Sequence, residues 1–210
     1  IPGFALGMAN IVLSYEGEKH GFVADLVYGP RGTEAVFNSV GSSNIVNQLY
    51  AYYNVSDSFT LTLGNFNTFL GYEVISPVAN FNYSTSYMFS YGPFSHTGIK
   101  ADFALSDDVS LMVAVLNQTD YTEGNFDSDG VMFEKYMYGV QLGLYGQYIN
   151  LLAGEDYTQI DFTGGLDITD SFFLGVNATS TDLGGDAGFS GIALYPQVAL
   201  SESFSVGLRG

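Results

Sequence analysis

The stretch FTLTLGNFNTFLGYEVISPVANFNYSTSYMFSYGPFSHTGIKADF, residues 59–103, decides how the fold of this chain is read. At both ends apolar and polar residues alternate, which is typical of a β-strand with two different faces. The connection between them, residues 67–94, is rich in Asn, Ser, Tyr and Phe and carries one acid, Glu73. Connections of this length are uncommon in compact soluble domains. They are usual in membrane barrels, where loops cap or fill a pore.

The composition of the whole chain agrees with that interpretation. Of 210 residues, 47% are hydrophobic and only 13% are charged, and there are 26 Gly, 16 Tyr and 17 Phe. No run approaches the 18 consecutive apolar residues of a transmembrane helix. Apolar residues that alternate with polar ones are what a transmembrane β-barrel requires.

Charge and cysteine content exclude several other classes of function. The chain has 22 acids against five bases, a net charge of -17. Nucleic acid is therefore excluded as a partner, because phosphate binding needs clustered Lys and Arg. With no cysteine and two histidines, neither a disulfide framework nor a zinc site is expected, and no cofactor is predicted. The chain begins without the basic segment of a signal peptide, as a mature or partial chain would.

Period-two alternation bounded by turn residues predicts twelve strands. Their predicted spans are 4–15, 21–29, 47–56, 59–66, 95–105, 109–117, 135–145, 147–154, 157–168, 172–180, 191–200 and 203–209.

The predicted connections alternate between short and long, with one exception near residues 154–156. Four short ones resemble each other, since each places a polar tripeptide of Ser, Thr, Asp or Glu between apolar strand ends: 55–59, 105–109, 168–172 and 200–204. Such side chains hydrogen-bond nearby backbone and stabilise tight turns. The long connections are 30–46, 67–94, 118–134 and 181–190. The pattern predicts an all-β, antiparallel up-and-down transmembrane barrel, a single domain over 1–210 with short turns at one rim and long loops at the other. A soluble β-protein with polar faces is the alternative.

The charged residues fit the same scheme. All but four of the 22 acids fall in predicted turns or loops, and those four lie in the polar registers of strands. A charge facing lipid is costly, about 2–4 kcal/mol for Arg or Lys at the middle of the bilayer. The polar registers are therefore expected to face the interior of the barrel. The pore-lining candidates from the strands are Asp25, Lys100, Asp102, Asp161 and Asp167.

Residues 47–117 also carry a family resemblance. The matching positions are Gly64, Phe66, Gly71, Glu73, Asn80, Ser84, Ser86, Pro93, His96, Gly98 and Asn117. In this pattern the chain resembles the bacterial outer-membrane β-barrel family called porin-2. Thr85 and Gln118 depart from it, since a basic residue and a glycine are expected there. The resemblance implies a porin-like barrel in the outer membrane of a Gram-negative bacterium, with no catalytic residues.

The long connection 67–94 supplies the remaining candidates for pore residues. If it folds into the barrel, Glu73 together with Asn80, Asn82, Tyr83 and Tyr87 narrows the pore, and its carboxylate favours cations. If it stays outside, it is a surface cap held by its own aromatic contacts. The sequence leaves both arrangements open.

Two further motifs bear on metal binding and catalysis. Asp127 and Asp129 resemble a fragment of a calcium loop, which needs more oxygen ligands at set spacing, and an acidic solvated loop is the alternative. Ser95 and His96 are adjacent on a predicted strand and so point to opposite faces, which argues against a catalytic pair. An enzyme is not expected.

The sequence therefore predicts a porin-like channel for passive diffusion of small polar solutes, with a preference for cations. The alternative is a structural or accessory barrel with a plugged lumen in a larger envelope complex. Expected partners are outer-membrane lipid, lipopolysaccharide, small polar or cationic solutes, and a second copy or an envelope complex. Because the chain ends at 203–210 without the terminal aromatic residue usual in such barrels, it can be a section of a longer barrel, and the pore size stays open.

Overall fold

A computed structural model describes residues 3–4, 7–36, 44–122, 124 and 135–210 of the chain. Within these residues the protein is all-β, with twelve antiparallel strands in the sheet order β1 to β12 and two short helices. None of the helices in this part of the chain is long and apolar enough to cross a membrane. The twelve strands and their antiparallel order confirm the predicted fold class.

The chain divides into two compact units. The first comprises residues 1–68, 94–103 and 113–137, and the second comprises 69–93, 104–112 and 138–210. The predicted single domain over 1–210 stays a prediction. The first unit holds β1 (Ala9–Glu16), β2 (His20–Tyr28), helix α1 (Pro30–Ala35), β3 (Val46–Ser56), β4 (Phe59–Asn67) and nearly all of β5 (Ser95–Ala104).

The second unit contains most of the remaining elements. Strand β6 (Val109–Leu116) has residues in both units. The second unit holds a 3₁₀ turn (Pro77–Ala79), helix α2 (Tyr87–Ser90), β7 (Met137–Leu144, from residue 138), β8 (Gln147–Gly154), β9 (Tyr157–Thr169), β10 (Phe172–Asp182), β11 (Gly188–Ser201) and β12 (Phe204–Gly207).

The largest differences from the predicted spans lie at the first strand and at the connection 181–190. The first strand begins at Ala9 rather than at residue 4. The predicted long connection 181–190 is a five-residue turn, 183–187, because β10 and β11 continue to pair as far as Asp182 and Gly188. The Leu183 N–H donates to the Ala187 carbonyl and closes the turn at 3.0 Å. Gly and Asp residues are typical of loops, but at the ends of these two strands they continue the backbone pairing between β10 and β11.

The four similar short turns each contain the same type of hydrogen bond. In each, the side-chain oxygen of the first polar residue accepts the backbone N–H two residues later, at 3.3–3.4 Å. Such a bond stabilises a tight reversal without help from elsewhere in the fold. The acceptors are Ser56, Ser106, Thr169 and Ser201, and the donors are Ser58, Asp108, Ser171 and Ser203.

The faces of the strands are inverted relative to a soluble protein. On β9 the side chains of Gln159, Asp161 and Thr163 are buried, with Asp161 only 1% exposed. The alternate residues Ile160 and Phe162 are 57% and 36% exposed. The first unit shows the same inversion, although there it is less regular. Soluble proteins bury apolar side chains and expose polar ones. An exposed apolar register and a covered polar one suit strands whose outer face meets lipid.

Candidate functional site

A network of polar side chains crosses four neighbouring strands of the second unit. The ladder places Gln141 of β7 opposite Asn150 of β8, and Asn150 opposite Asp161 of β9. The Gln141 side-chain amide donates to Asn150 Oδ1 at 2.8 Å, and the Asn150 amide donates to Asp161 Oδ1 at 2.8 Å. From the other side, the amide of Asn177 on β10 donates to Asp161 Oδ2 at 2.6 Å. These four residues are called the polar network below.

The polar network holds the segment 69–93, called the docking segment below. The Gly71 N–H donates to Asp161 Oδ1 at 3.0 Å, and the Gln141 amide donates to the Phe69 carbonyl at 3.1 Å. The Asp161 carboxylate thus accepts three hydrogen bonds, which compensate for the burial of its charge. Gly71 has φ +83°, a conformation that glycine adopts without a steric penalty. The start of the docking segment therefore packs on the polar face of β7–β10.

Three glycines on the last strands leave room for side chains of the docking segment. A Cβ at Gly175 would lie 2.5 Å from the Tyr72 hydroxyl oxygen, and one at Gly207 would lie against the Phe81 ring. A Cβ at Gly191 would lie 2.7 Å from the Met88 sulfur. A Cβ at any of these positions would force the facing side chain to shift, because real Cβ atoms do not approach so closely. The contact therefore extends from the start of the segment to helix α2.

Tyr72 anchors the segment through its ring. It stacks on Tyr195 of β11, with the ring centroids 4.3 Å apart and an angle of 18° between the planes. Stacked aromatic pairs contribute about 0.5–1.5 kcal/mol beyond the area they bury. Burial raises the pKa of the Tyr72 phenol, so the hydroxyl stays protonated at neutral pH.

Glu73 links the two halves of the docking segment to each other and to Arg209. The Ser86 N–H donates to both carboxylate oxygens of Glu73, at 3.1 and 2.9 Å, and the Ser86 hydroxyl donates to Oε2. The Arg209 guanidinium donates to Glu73 Oε1 at 2.9 Å and also contacts the carbonyl and the hydroxyl of Ser84. Glu73 is 5% exposed, so this is a buried ion pair.

Backbone pairing fixes Arg209 in place. The Leu194 N–H donates to the Gly210 carbonyl at 2.8 Å, and the Gly210 N–H donates back to the Leu194 carbonyl at 3.1 Å. The Leu208 N–H donates to the Pro196 carbonyl at 3.0 Å. Residues 208–210 therefore continue along β11, and the guanidinium is presented to Glu73 from a rigid backbone.

The other predicted residues of this segment have different surroundings. The Asn80 side chain is used inside the segment, since it donates to the Val74 carbonyl at 2.7 Å and accepts the Val74 N–H at 2.9 Å. Asn82 lines a cavity beside Glu73. Tyr83 and Tyr87 are exposed, and Tyr87 retains 88% of its accessible surface. Of the five predicted loop residues, only Glu73, Asn80 and Asn82 line this cavity.

The strand candidates are also dispersed. In the first unit, the buried carboxylate of Asp25 accepts from the amides of Asn10 and Asn47 at 2.9 and 2.6 Å. Lys100 and Asp102 form an ion pair with 2.7 Å between Nζ and Oδ2.

Two strand candidates lie in the second unit. Asp161 belongs to the polar network, and Asp167 is exposed near the end of β9. All the strand candidates stay predictions as pore-lining residues.

The weak calcium candidates Asp127 and Asp129 lie outside the described residues. Among the residues that the structure does describe, no group of three His, Asp or Glu side chains could hold a metal ion.

Several residues of the site were missed in the sequence. Three of them, Gln141, Asn150 and Asn177, lie in polar registers of predicted strands. The alternation of polar and apolar residues along these strands is the signal that could have indicated them. Arg209 is one of only five bases, yet nothing local to it indicates a partner 136 positions away.

The whole chain matches a known protein family. The family described as "Putative beta-barrel porin-2, OmpL-like" matches residues 2–210. The chain belongs to this family. Membership confirms the resemblance predicted from residues 47–117 and places the protein in the bacterial outer membrane.

One solved structure is similar to this chain. It is titled "Crystal structure of Acinetobacter baumannii OccAB3" and is 14% identical in sequence, with a TM-score of 0.43. The similarity covers 96% of this chain and 57% of that chain, so the chain spans little more than half the length of that protein. A comparison with curated proteins finds no match.

Proposed function

We propose that this protein is an outer-membrane porin through which small polar solutes diffuse, and that the docking segment forms its constriction. The observation that carries the proposal is the contact of the docking segment with the polar face of β7–β10, through Asp161 and Gln141. In a β-barrel porin the polar registers face the interior. A segment packed on that face narrows the passage instead of covering it from outside.

A preference for cations belongs to the same proposal, but its source differs from the one predicted. In the arrangement in which the loop enters the barrel, the sequence predicts the Glu73 carboxylate as the source of the preference. Its charge is compensated by Arg209 at 2.9 Å, and its oxygens are occupied by Ser86. The net charge of -17 still creates a negative potential over the protein. Exposed acids in turns and strand ends, such as Asp167, Asp182 and Asp186, are the residues that attract cations.

Planar-bilayer recording of the purified full-length protein tests the proposal. We expect discrete conductance steps and, in a KCl gradient, a reversal potential with the sign of cation preference. Heat-denatured protein from the same preparation is the control, and a heat-dependent shift in gel mobility shows that the sample was folded. A folded sample that never conducts would overturn the porin assignment. A reversal potential of the opposite sign would overturn the cation preference alone.

A second function is favoured by one observation. All four residues of the polar network are hydrogen-bonded to each other or to the docking segment, and Asn150 and Asp161 are almost fully buried. That arrangement also suits an accessory barrel whose interior is closed and which belongs to a larger envelope complex.

Loosening the docking segment distinguishes the two functions. In a porin the unmodified protein conducts, and Arg209→Met raises the conductance because the constriction widens. In a closed accessory barrel only the variant conducts, and purification in mild detergent recovers partner proteins in fixed ratio.

A further inference from the structure

A cavity of about 440 Å³ lies beside Glu73, between the docking segment and strands β10 and β11. The residues that matter for binding are Tyr72, Phe81 and Asn82 from the segment and Phe173, Tyr195 and Gln197 from the strands. Pockets for small molecules commonly measure about 300–1,000 Å³. The cavity is therefore large enough for a small organic solute, and the docking segment forms one of its walls.

The aromatic side chains supply flat apolar surfaces. Two rings come from the segment and two from the strands, and the stacked pair of Tyr72 and Tyr195 forms a rigid part of the wall. An aromatic face carries partial negative charge, and it attracts polarised C–H groups that lie over it. The axial C–H groups on one side of a sugar ring are such a surface.

Among the described residues, Glu73 is the one charged residue that lines the cavity, and its other polar lining residues are amides and tyrosines. Asn82 and Gln197 each present an amide with a donor and an acceptor, which suits hydroxyl groups that can do both. The Tyr195 hydroxyl is buried beside Glu73 and Ser86, so Tyr195 offers the cavity its ring and not its hydroxyl.

The charged groups next to the cavity compensate each other. Glu73 is bound by Arg209 and Ser86, so neither a cationic nor an anionic ligand finds an unpaired counter-charge there. A charged ligand would lose its hydration without a compensating ion pair. The chemistry therefore favours a neutral molecule with apolar ring faces and several hydroxyl groups.

We propose that this cavity binds a neutral saccharide of one or two rings. The proposal deepens the proposed function, on which it rests, because a solute that passes the docking segment would occupy this cavity on its way. It assigns to the porin a saccharide among its solutes.

Equilibrium binding and conductance test the proposal separately. Isothermal titration of the folded protein in detergent uses glucose, maltose and sucrose at up to about 100 mM, with sorbitol as a polyol without a ring and glycine and arginine as charged probes. We expect at least one of the saccharides to bind and the other probes to show no saturable heat. Bilayer recording with the same saccharide then shows whether the bound sugar reduces the ion current.

Variants locate the site. Asn82→Ala and Gln197→Ala each remove one hydrogen-bonding side chain and should weaken binding by roughly fivefold, since one hydrogen bond contributes about 1 kcal/mol. Tyr87→Ala is the matched control, because Tyr87 belongs to the same segment but is 88% exposed and does not line the cavity. Its affinity should be unchanged.

Three results would overturn the saccharide site: no binding of any saccharide by folded protein, equal binding of sorbitol, or unchanged affinity in both Asn82→Ala and Gln197→Ala. Saccharide binding without any conductance would instead leave the site standing and overturn the porin function.

Discussion

The ion pair between Glu73 and Arg209 gives the sharpest prediction about the docking segment. Arg209→Met removes a charge-assisted hydrogen bond to Glu73 and two contacts with Ser84 while keeping most of the aliphatic side chain. Hydrogen bonds to charged groups contribute about 1.5–3 kcal/mol. The Arg209 side chain is 21% exposed, so water replaces part of what is lost. We expect the docking segment to be destabilised by about 2 kcal/mol.

Hydrogen exchange of the peptides from 69–93 measures this effect. A loss of about 2 kcal/mol corresponds to roughly 30-fold faster exchange through local opening. The Ser86 amide should respond most clearly, because its N–H is bound to the Glu73 carboxylate. Peptides from the first unit should not change, and neither should any peptide of Lys19→Met. That variant removes the same charge from the exposed turn between β1 and β2.

A double-mutant cycle isolates the ion pair. Glu73→Gln keeps an acceptor for Ser86 but removes the charge, and the cycle with Arg209→Met should give a coupling energy of about 1 kcal/mol or more. The reasoning is refuted if exchange in 69–93 is unchanged in Arg209→Met. It is also refuted if the effects of the two substitutions are additive, since the pair would then contribute nothing as a pair.

Three further predictions concern Asp161, Gly175 and Asp120. Asp161→Ala removes the acceptor of the Gly71 N–H and of the Asn150 amide, and one of the two acceptors of the Asn177 amide. The free energy of unfolding should therefore fall by about 3–6 kcal/mol in denaturant titration. Asp167→Ala replaces an exposed acid on the same strand and should stay within about 0.5 kcal/mol of the unmodified protein. Gly175→Val should displace Tyr72 and make hydrogen exchange in 69–93 faster. Ala178→Val, on the opposite face of β10, is the control, and an equal effect from it would contradict this prediction. Asp120→Asn should stabilise the protein at pH 7. Burial raises the pKa of the Asp120 carboxyl, although the N–H groups of Phe94 and Ser95 donate to it. The folded state therefore favours the protonated acid, and the stability of the unmodified protein falls as the pH rises through the raised pKa. The gain in melting temperature should therefore vanish in acid, and a gain that persists there would show that charge burial is not its cause.

The strand pattern was predictable because it depends on near neighbours. Alternation along β9 places Asp161 in the polar register, and the tripeptides at the four short turns stabilise those turns through bonds between residues two apart. The docking of 69–93 depends on distant partners instead. Gly71 meets Asp161 across 90 positions, and Glu73 meets Arg209 across 136. Glycines at 175, 191 and 207 were visible as small residues in polar registers, but their meaning appears only once the facing side chains are known.

Acids in the polar registers do not by themselves make a passage electronegative. Asp25 and Asp161 are each bonded to amides from both neighbouring strands, Asn10 and Asn47 in one unit and Asn150 and Asn177 in the other. Because the amides satisfy the oxygens, each carboxylate is buried as a link between three strands. Asp102 is paired with Lys100, and Glu73 is paired with Arg209. Of the five acids predicted to line the pore, Asp167 alone is neither buried nor ion-paired in the described part of the chain. The proposed preference for cations therefore depends on Asp167 and on the acids of the turns and loops, whereas the other four predicted acids bind neighbouring side chains within the fold.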